Sequence, residues 1–482
     1  MKRLISCVFA LLYVMTGFAS GTWILHGKEY RVDTLYHAYI GPGTTQTSIK
    51  LAGPVNLRVF YTTTDLKNEN VDVRAIKHKD TLTGLGTVSN AAESHSTSNR
   101  SYFAGINADF FSSSMPCGIT VVDGEVYCSD QASGWSLFGI DANKIPYSGG
   151  GDFYVKLTAP DYSTAELSAM NLERGTNGLV LYSSRKGANT GTDSNGSEVV
   201  LIPDGEGNFL TPGATVRMRV QGNPSHAGSM PIPDNGYILS GSGTKESFVS
   251  NLSEGDVVEV RCAIRFNGFT GGKIQQALGG CPMLVSGGKV LDTENALDHL
   301  TSAQPRTAVG YNAEKNKLVM LVADGRSSIS VGPISKVLAD IMIYAGCSEA
   351  MNFDGGGSST FYVKGEGVIN QPSDGSERSV TDGLYLSTDA PQNDVTITTI
   401  RFMDYAKTLN QGDAYTPVIY GYNQYGVLVD RNVEGVTLSC GLSLGTITND
   451  GTTLNASGSG THMLTAGYGN LTTTLSVTVI GE

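Results

Sequence analysis

Helical spacing of apolar residues is clear at one place in this chain of 482 residues. The apolar positions between Ile334 and Ala345 fall on one helical face. Pro333 suits the first turn of such a helix and Gly346 suits its end. A second short helix is expected over Asn295–Thr301. Most of the remaining chain consists of short apolar runs separated by turn residues, which predicts strands.

The composition agrees with a fold built from many short strands. The chain has 60 Gly and 22 Tyr, and 40% of its residues are hydrophobic. Glycine serves tight turns, tyrosine favours strands, and this apolar fraction is enough for sizeable cores. No Gly-X-Y period is present, which excludes collagen. We therefore expect an α+β first domain, dominated by strands and with few helices.

The charge balance excludes one class of partner. The chain has 33 Lys and Arg against 45 Asp and Glu, a formal net charge of −12. Nucleic acids require clustered basic residues to meet their phosphates, so we expect no nucleic-acid partner.

The beginning of the chain resembles an export signal. Two basic residues precede an apolar run over Leu4–Met15, and small residues follow it. This order is typical of a secretory signal peptide over residues 1–20, cleaved near Ala19 or Ser20. No later stretch reaches the ~18 apolar residues that a membrane helix needs. We expect an exported protein without a membrane span, located in the periplasm, at the cell surface or outside the cell.

Six cysteines follow the signal segment, and none lies in a C-x-x-C pair. No histidine cluster accompanies them, which argues against a structural zinc site. Cys117 and Cys128 flank a segment that is expected to form a hairpin turning at Asp123 and Gly124. Because export permits disulfides, the pattern predicts a Cys117–Cys128 bond.

A polar, proline-containing break at Asp389–Asn393 divides the chain. It predicts one domain over residues 21–388 and a second over 394–482. Short alternating runs in the second part are typical of a small β-sandwich. The stretches Gly435–Cys440 and Gly460–Ala466 resemble bacterial immunoglobulin-like repeats. Such a domain would offer contact with a cell surface or a polysaccharide.

The sharpest chemical pattern begins at Asp354. An apolar strand delivers this carboxylate, and Gly355, Gly356 and Gly357 follow it directly. Glycines let backbone N–H groups approach a ligand closely, and such a turn forms an anion-binding concavity with Ser358 as a further donor. The alternative is a flexible turn in a glycine-rich protein.

Other polar residues occur beside predicted strands. Asp324 ends an apolar strand, Asn107 and Asp109 lie near the end of another, and Arg306 precedes a third. A single Asp at a strand end is often only a turn former. Several strand ends in one sheet, however, can bring carboxylates together with an arginine suited to gripping phosphate.

Five segments in this order resemble the phosphodiester glycosidase family, over about residues 30–387. They are Asn107–Phe111, Arg306–Gly310, Asp324–Arg326, Asn352–Ser359 and Arg378–Gly383. The resemblance implies hydrolysis of a sugar-1-phosphodiester into the free sugar and a phosphomonoester. The family motif commonly has Gly where this chain has Asp109.

The resemblance also implies roles for particular residues. Asp354 and Asp324 would be the catalytic carboxylates, and Glu349, just before the same strand as Asp354, is a further acid–base candidate. The expected substrate-binding residues are Asn107, Asp109, Arg306, Gly355, Gly356, Gly357, Ser358, Arg378 and Asp382.

The expected partner is a small molecule or glycan that carries a phosphodiester, and no cofactor is expected. Two alternatives remain open. In the first, Asp324, Asp354 and Asp109 bind Mg²⁺ or Ca²⁺ in a metal-dependent phosphoesterase, because these ions prefer oxygen ligands. In the second, the chain is a non-catalytic surface protein that binds glycans.

Overall fold

The computed structural model describes residues 21–130, 134–205, 209–267, 269–270, 272–293 and 300–481. The predicted signal peptide and most of the predicted helix over Asn295–Thr301 lie outside these residues. Within them, strands dominate and helices are few, as the sequence predicts. The three α-helices of the described part are Val88–Ser94, Glu246–Ser250 and Ser335–Tyr344. No helix among these residues has the length and apolar character needed to cross a membrane.

The predicted amphipathic helix forms over Ser335–Tyr344, with Ile334 as its N-cap. Gly346 follows its end with φ +99°, a left-handed conformation that glycine adopts at little cost. Pro333 lies just before the first turn rather than in it.

A nine-stranded antiparallel sheet forms the framework of the first part of the chain. Its strands, in spatial order, are Gly21–Leu25, Lys28–Gly41, Thr44–Ala52, Asn56–Asp65, Lys317–Ala323, Arg306–Tyr311, Glu349–Asn352, Met283–Ser286 and Lys289–Val290.

A five-stranded sheet packs on one face of this framework. Its strands, in spatial order, are Gly367–Val368, Phe361–Val363, Ser101–Asn107, Asp382–Thr388 and Asp72–Lys77. The apolar core between the two sheets includes Met320, Met351 and Leu384, all buried. Leu338 and Ile341 of the long helix cover the opposite face of the framework. The result is a helix–sheet–sheet stack.

A thirteen-stranded sheet extends from these layers and has its own core. Eleven strands lie in the order Glu125–Cys128, Thr120–Val122, Ile274–Gly280, Ser136–Asp141, Pro146–Thr158, Val257–Phe266, Thr215–Ser225, Ser197–Pro203, Tyr237–Gly241, Leu179–Tyr182 and Ala169–Met170. Thr164–Glu166 and Phe269–Thr270 pair beside this path. A separate two-stranded ribbon joins Phe111–Ser112 to Met115–Pro116.

The last part of the chain is entirely strand and turn in the described residues, and its apolar core is built from residues beyond 396. It contains three small sheets. The first consists of Thr399–Phe402, Ile419–Tyr422 and Leu428–Asp430, and the second of Ala406–Asn410, Leu471–Ile480, Gly460–Tyr468 and Thr437–Cys440. The third consists of Ala414–Tyr415, Leu454–Ala456 and Gly445–Ile447. Arg431 joins it to the first part through an ion pair with Glu366 at 2.6 Å. Its immunoglobulin-like character and the domain bounds stay predictions.

Candidate active site

Asp354 lies where the framework sheet meets the five-stranded sheet. It follows the buried strand Glu349–Asn352, and its N–H donates to the carbonyl of Ala108 at 2.8 Å. The Asn107 side-chain amide donates to the Asp354 carbonyl at 2.7 Å. These two bonds attach the Asp354 backbone to the end of strand Ser101–Asn107, so two sheets together fix its position.

Asn107 is fully buried, and its polar atoms have protein partners. Its side-chain oxygen accepts from the Thr307 hydroxyl at 2.8 Å and from the Thr360 N–H at 3.1 Å. The structure therefore gives Asn107 a positioning role beside Asp354. Its predicted contact with substrate stays a prediction.

The Asp354 carboxyl is half-buried and tuned by its surroundings. Burial raises its pKa to about 6, whereas the Ser358 hydroxyl, the charge of Arg378 and the Gly355 N–H act to lower it. Such a carboxyl is ionised at neutral pH yet able to exchange a proton there, which suits acid–base or nucleophilic chemistry.

Two further carboxyls, Asp109 and Asp382, are buried behind Asp354. The Asp109 N–H donates to Asp382 Oδ1 at 2.9 Å, and Asp109 Oδ2 accepts from the Gly118 N–H at 2.7 Å. Burial first, and then the charge of Asp382, raise the pKa of Asp109 well above its usual range. Burial also raises the pKa of Asp382, although the positive charge of nearby Lys77 acts to lower it. The pair therefore retains a proton at a higher pH than exposed carboxyls do.

The glycine turn is packed tightly against protein atoms. A Cβ at Gly355 would come within 2.7 Å of the Pro305 carbonyl, and one at Gly357 would overlap Arg378 and Asp374. Gly356 has φ +60°. Close packing thus explains these glycines without any ligand, and their predicted anion contacts stay predictions.

Two guanidinium groups flank this turn. Arg378 lies 3.4 Å from the Ser358 hydroxyl and pairs with Asp374 at 2.6 Å. Arg326 would come within 3.0 Å of a Cβ at Gly356, and its Nε donates to Gln304 at 2.7 Å. Arg326 has φ +58°, a conformation that non-glycine residues rarely adopt and that concentrates at functional sites. Both side chains are exposed, so an anion over the turn would meet two cations.

Arg306, the arginine predicted to hold phosphate, is buried. Its guanidinium donates to the carbonyls of Ser302 at 3.0 Å and Pro333 at 3.3 Å. Burial, and then the charge of Arg326, lower its pKa to about 10. The structure thus uses Arg306 to hold two loops together.

Asp324 is also buried and supports the glycine turn indirectly. Its Oδ1 accepts from the Asn370 amide at 3.2 Å and from the Gln371 N–H at 2.9 Å, while Asn370 also donates to the Ser359 carbonyl at 3.1 Å. Burial raises the pKa of Asp324. These bonds place Asp324 to position the turn, and its predicted catalytic role stays a prediction.

Glu349 lies at the opposite end of its strand from Asp354. Five residue steps, most of them along this strand, separate the two by roughly 16 Å. Its carboxylate accepts from the Gly287 N–H at 2.8 Å. The structure therefore corrects the expectation that Glu349 acts beside Asp354.

The predicted disulfide is also corrected, because Cys117 and Cys128 are both free thiols. The hairpin forms as expected, but Cys128 lies opposite Thr120, three residues from Cys117. The Cys117 N–H instead donates to the Phe110 carbonyl at 2.9 Å. Burial, and then the charge of Asp109, raise the pKa of the Cys117 thiol to about 11.

Sequence reasoning missed two glycines beside the site. A Cβ at Gly279 would lie 2.6 Å from the Asp109 carboxylate, and one at Gly280 would lie 2.6 Å from the Asn352 carbonyl. In the sequence, these two glycines at the end of an apolar strand before Cys281 could have indicated a close contact with the site.

The described residues contain no group of three or more His, Cys, Asp or Glu side chains arranged to hold a metal ion. The set Asp324, Asp354 and Asp109, expected for the metal-dependent alternative, is not gathered around one point in this part of the chain. The metal requirement itself stays a prediction.

Comparison with known proteins finds a family match for one segment of the chain. Residues 213–387 match the phosphodiester glycosidase family, which confirms the resemblance for that segment. Over 88 residues the chain is 40% identical to the SPbeta prophage-derived uncharacterized protein YomE of Bacillus subtilis (strain 168). That match covers 18% of this chain and only 13% of YomE.

Two solved structures share the fold, and a third aligns with a lower score. A hypothetical protein from Synechocystis aligns with TM-score 0.55 and 15% identity, over 72% of this chain and 62% of that one. A Burkholderia pseudomallei K96243 protein, named as a candidate exported protein, aligns with TM-score 0.56 and 18% identity, over 77% and 99%. The catalytic domain of zebrafish N-acetylglucosamine-1-phosphodiester alpha-N-acetylglucosaminidase, auto-inhibited by its pro-peptide, has TM-score 0.38 and 13% identity, over 73% and 87%.

Proposed function

We propose that this chain is an exported hydrolase that cleaves the glycosidic bond of a sugar-1-phosphodiester. The products are the free sugar and a phosphomonoester, and the substrate is a glycan or small molecule. The family match over residues 213–387 supports the reaction class. The observation that carries the proposal is the Asp354 carboxyl, held beside Ser358 and under the influence of Arg378. The signal-like pattern over residues 1–20 supports export.

In the proposed reaction, the bond between the anomeric carbon and the bridging phosphate oxygen breaks. The phosphomonoester leaves with the electron pair, and needs little protonation because its anion is stable at neutral pH. Asp354 either takes the proton of an attacking water or attacks the anomeric carbon, after which water releases the sugar. The first route inverts the anomeric configuration and the second retains it.

Positively charged and acidic side chains lie on different sides of Asp354. Arg378 and Arg326 lie on the side of the glycine turn, where they would stabilise the negative charge that develops on the leaving phosphate. Asp109 and Asp382 lie behind Asp354, and their raised pKa limits repulsion toward its carboxylate. Asn107 and Asp324 hold the Asp354 backbone and the turn in place.

Hydrolysis of methyl diesters of α- and β-linked sugar-1-phosphates in ¹⁸O-water tests the proposal. We expect a phosphomonoester without ¹⁸O, because the carbon–oxygen bond is the one that breaks and the bridging oxygen stays on phosphate. We also expect Asp354→Asn to lower kcat/KM by about 10²–10⁴-fold. The surface change Asp161→Asn serves as the matched control, since Asp161 is exposed.

Three results would contradict the proposal. Label in the phosphate would indicate a phosphoesterase, and full activity of Asp354→Asn would remove Asp354 from the reaction. Absence of turnover with every diester would favour the non-catalytic glycan-binding alternative.

A further inference from the structure

A polar cleft of about 530 Å³ lies outside the family-matched segment. Its size is within the range of ~300–1,000 Å³ typical of small-molecule sites. Among the residues lining it are Ser129, Asp130, Trp135, Asp152, Phe153 and Ser168. The two aromatic rings, Trp135 and Phe153, lie among hydroxyls, carboxylates and exposed backbone, a lining that suits a polyhydroxylated ligand better than an apolar one.

Trp135 is half-buried at the wall of this cleft. It packs edge-to-face against Phe110, with ring centroids 5.0 Å apart and planes at 66°. This contact fixes the indole without covering both of its faces. Phe110 directly follows Asp109, so the same chain segment contacts Trp135 and contributes a carboxyl behind Asp354.

Strand pairing connects the cleft to Asp354. Ser136, next to Trp135, pairs with Gly280. The following residue, Cys281, donates its N–H to the Asn352 carbonyl at 2.9 Å, and Asn352 precedes Asp354 by two residues. Two strand spacings and three residue steps along the chain, about 20 Å at most, therefore separate the backbone of Ser136 from that of Asp354. One substrate can span this distance.

The charges around the cleft and the glycine turn indicate how a substrate would be oriented. The cleft contributes the carboxylates of Asp130 and of Asp152, which pairs with Arg265 at 2.5 Å; carboxylate oxygens repel phosphate but accept hydrogen bonds from hydroxyl groups. The exposed cations Arg326 and Arg378 lie beside the glycine turn that follows Asp354. A phosphodiester is attracted to the arginines, so the neutral part of the substrate is the part that fits the cleft.

We propose that this cleft is a carbohydrate subsite in which Trp135 stacks on the neutral glycosyl part of the substrate. The inference rests on the proposed function for the identity of the bond that is cleaved. Binding of the sugar itself depends only on the cleft.

Fluorescence can isolate this contact, because Trp23 and Trp135 are the chain's two tryptophans. Trp23 stacks on Tyr344 at 4.6 Å beside the long helix. In Trp23→Phe, tryptophan emission comes from Trp135 alone. We expect a saturable change on titration with methyl glycosides, N-acetylglucosamine or a linear tetrasaccharide. The matched variant Trp135→Phe, which keeps Trp23, should show none.

Steady-state kinetics supply a second readout. Trp135→Ala should raise KM for the diester about tenfold and leave kcat within about threefold, because stacking acts on binding. No saturable signal from Trp135 with any of these sugars, or an equal signal in Trp135→Phe, would overturn the subsite even if Trp135→Ala fails to fold. Unchanged KM in folded Trp135→Ala would also overturn it. Sugar binding without turnover of any diester would refute the proposed function alone.

Discussion

Replacing Asp354 by asparagine should stabilise the folded protein while it removes activity. Burial raises the pKa of Asp354 to about 6, against an ordinary value of 3.8, so the folded state binds this proton more tightly than the unfolded chain. Below pH ~3.8 the carboxyl is protonated in both states and costs no stability. As pH rises from about 3.8 to 6, the unfolded chain loses this proton while the folded protein keeps it, so ionisation progressively favours the unfolded chain. Above pH 6 the full cost applies.

The magnitude follows from the two pKa values. Their difference corresponds to roughly 3 kcal/mol, and partial access of the half-buried Asp354 to water lowers the expected cost to about 1–2 kcal/mol. Asparagine has no charge to bury, and its side-chain oxygen still accepts from Ser358. The variant should therefore gain most of this energy at pH 7.5 and little at pH 4.

Thermal unfolding of wild type and variant at both pH values checks the reasoning. At about 2–4 °C per kcal/mol for a cooperative unit of 150–250 residues, Tm should rise by about 2–8 °C at pH 7.5. The control Asp161→Asn should give no rise, because hydrogen bonds from Ser163 lower the pKa of the exposed Asp161. No gain at pH 7.5, or an equal gain at pH 4, would refute the argument that burial penalises the Asp354 charge.

Four other outcomes are expected. The kcat/KM of the wild type should fall below about pH 6, because protonated Asp354 cannot act as base or nucleophile; a flat profile down to pH 4.5 would contradict this. Arg378→Gln should weaken inhibition by a sugar-free phosphomonoester about tenfold or more, measured as a change in inhibition constant; unchanged inhibition would place the phosphate elsewhere. Dialysis against EDTA should leave turnover of the diester unchanged, whereas loss of activity restored by Mg²⁺ or Ca²⁺ would support the metal-dependent alternative. Thiol titration of the unfolded chain without residues 1–20 should find six free thiols without reductant, including Cys117 and Cys128. A count of four free thiols would instead support a disulfide bond.

Local patterns in the sequence predicted local structure well. The helix spacing located Ser335–Tyr344 because one apolar face suffices to specify a helix on a sheet. Asp123 and Gly124 located a hairpin because both adopt positive φ in the turn. Asp354 and its glycines, read together with the family resemblance, located the segment where the two sheets meet.

Contacts between segments that are far apart in the sequence could not be predicted from local patterns. Arg306 looked free to bind phosphate, yet loops that contain Ser302 and Pro333 bury it. Glu349 looked close to Asp354 along the chain, but an extended strand separates them by its length. The proximity of Trp135 to the site depends on its neighbour Ser136 pairing with Gly280, a register that neither sequence segment specifies alone.

In both the framework sheet and the five-stranded sheet, strands from distant parts of the chain pair, which determines when the site can exist during synthesis. Strand Lys317–Ala323 pairs with Asn56–Asp65, and Asp382–Thr388 pairs with both Asp72–Lys77 and Ser101–Asn107. Such pairings close loops of hundreds of residues, which makes folding slow and late. A fragment cut to the family-matched residues 213–387 lacks these partner strands and should not fold. A nascent chain would thus remain inactive and unfolded until almost all of the first 388 residues have been made, a delay compatible with threading through a secretion channel before activity begins.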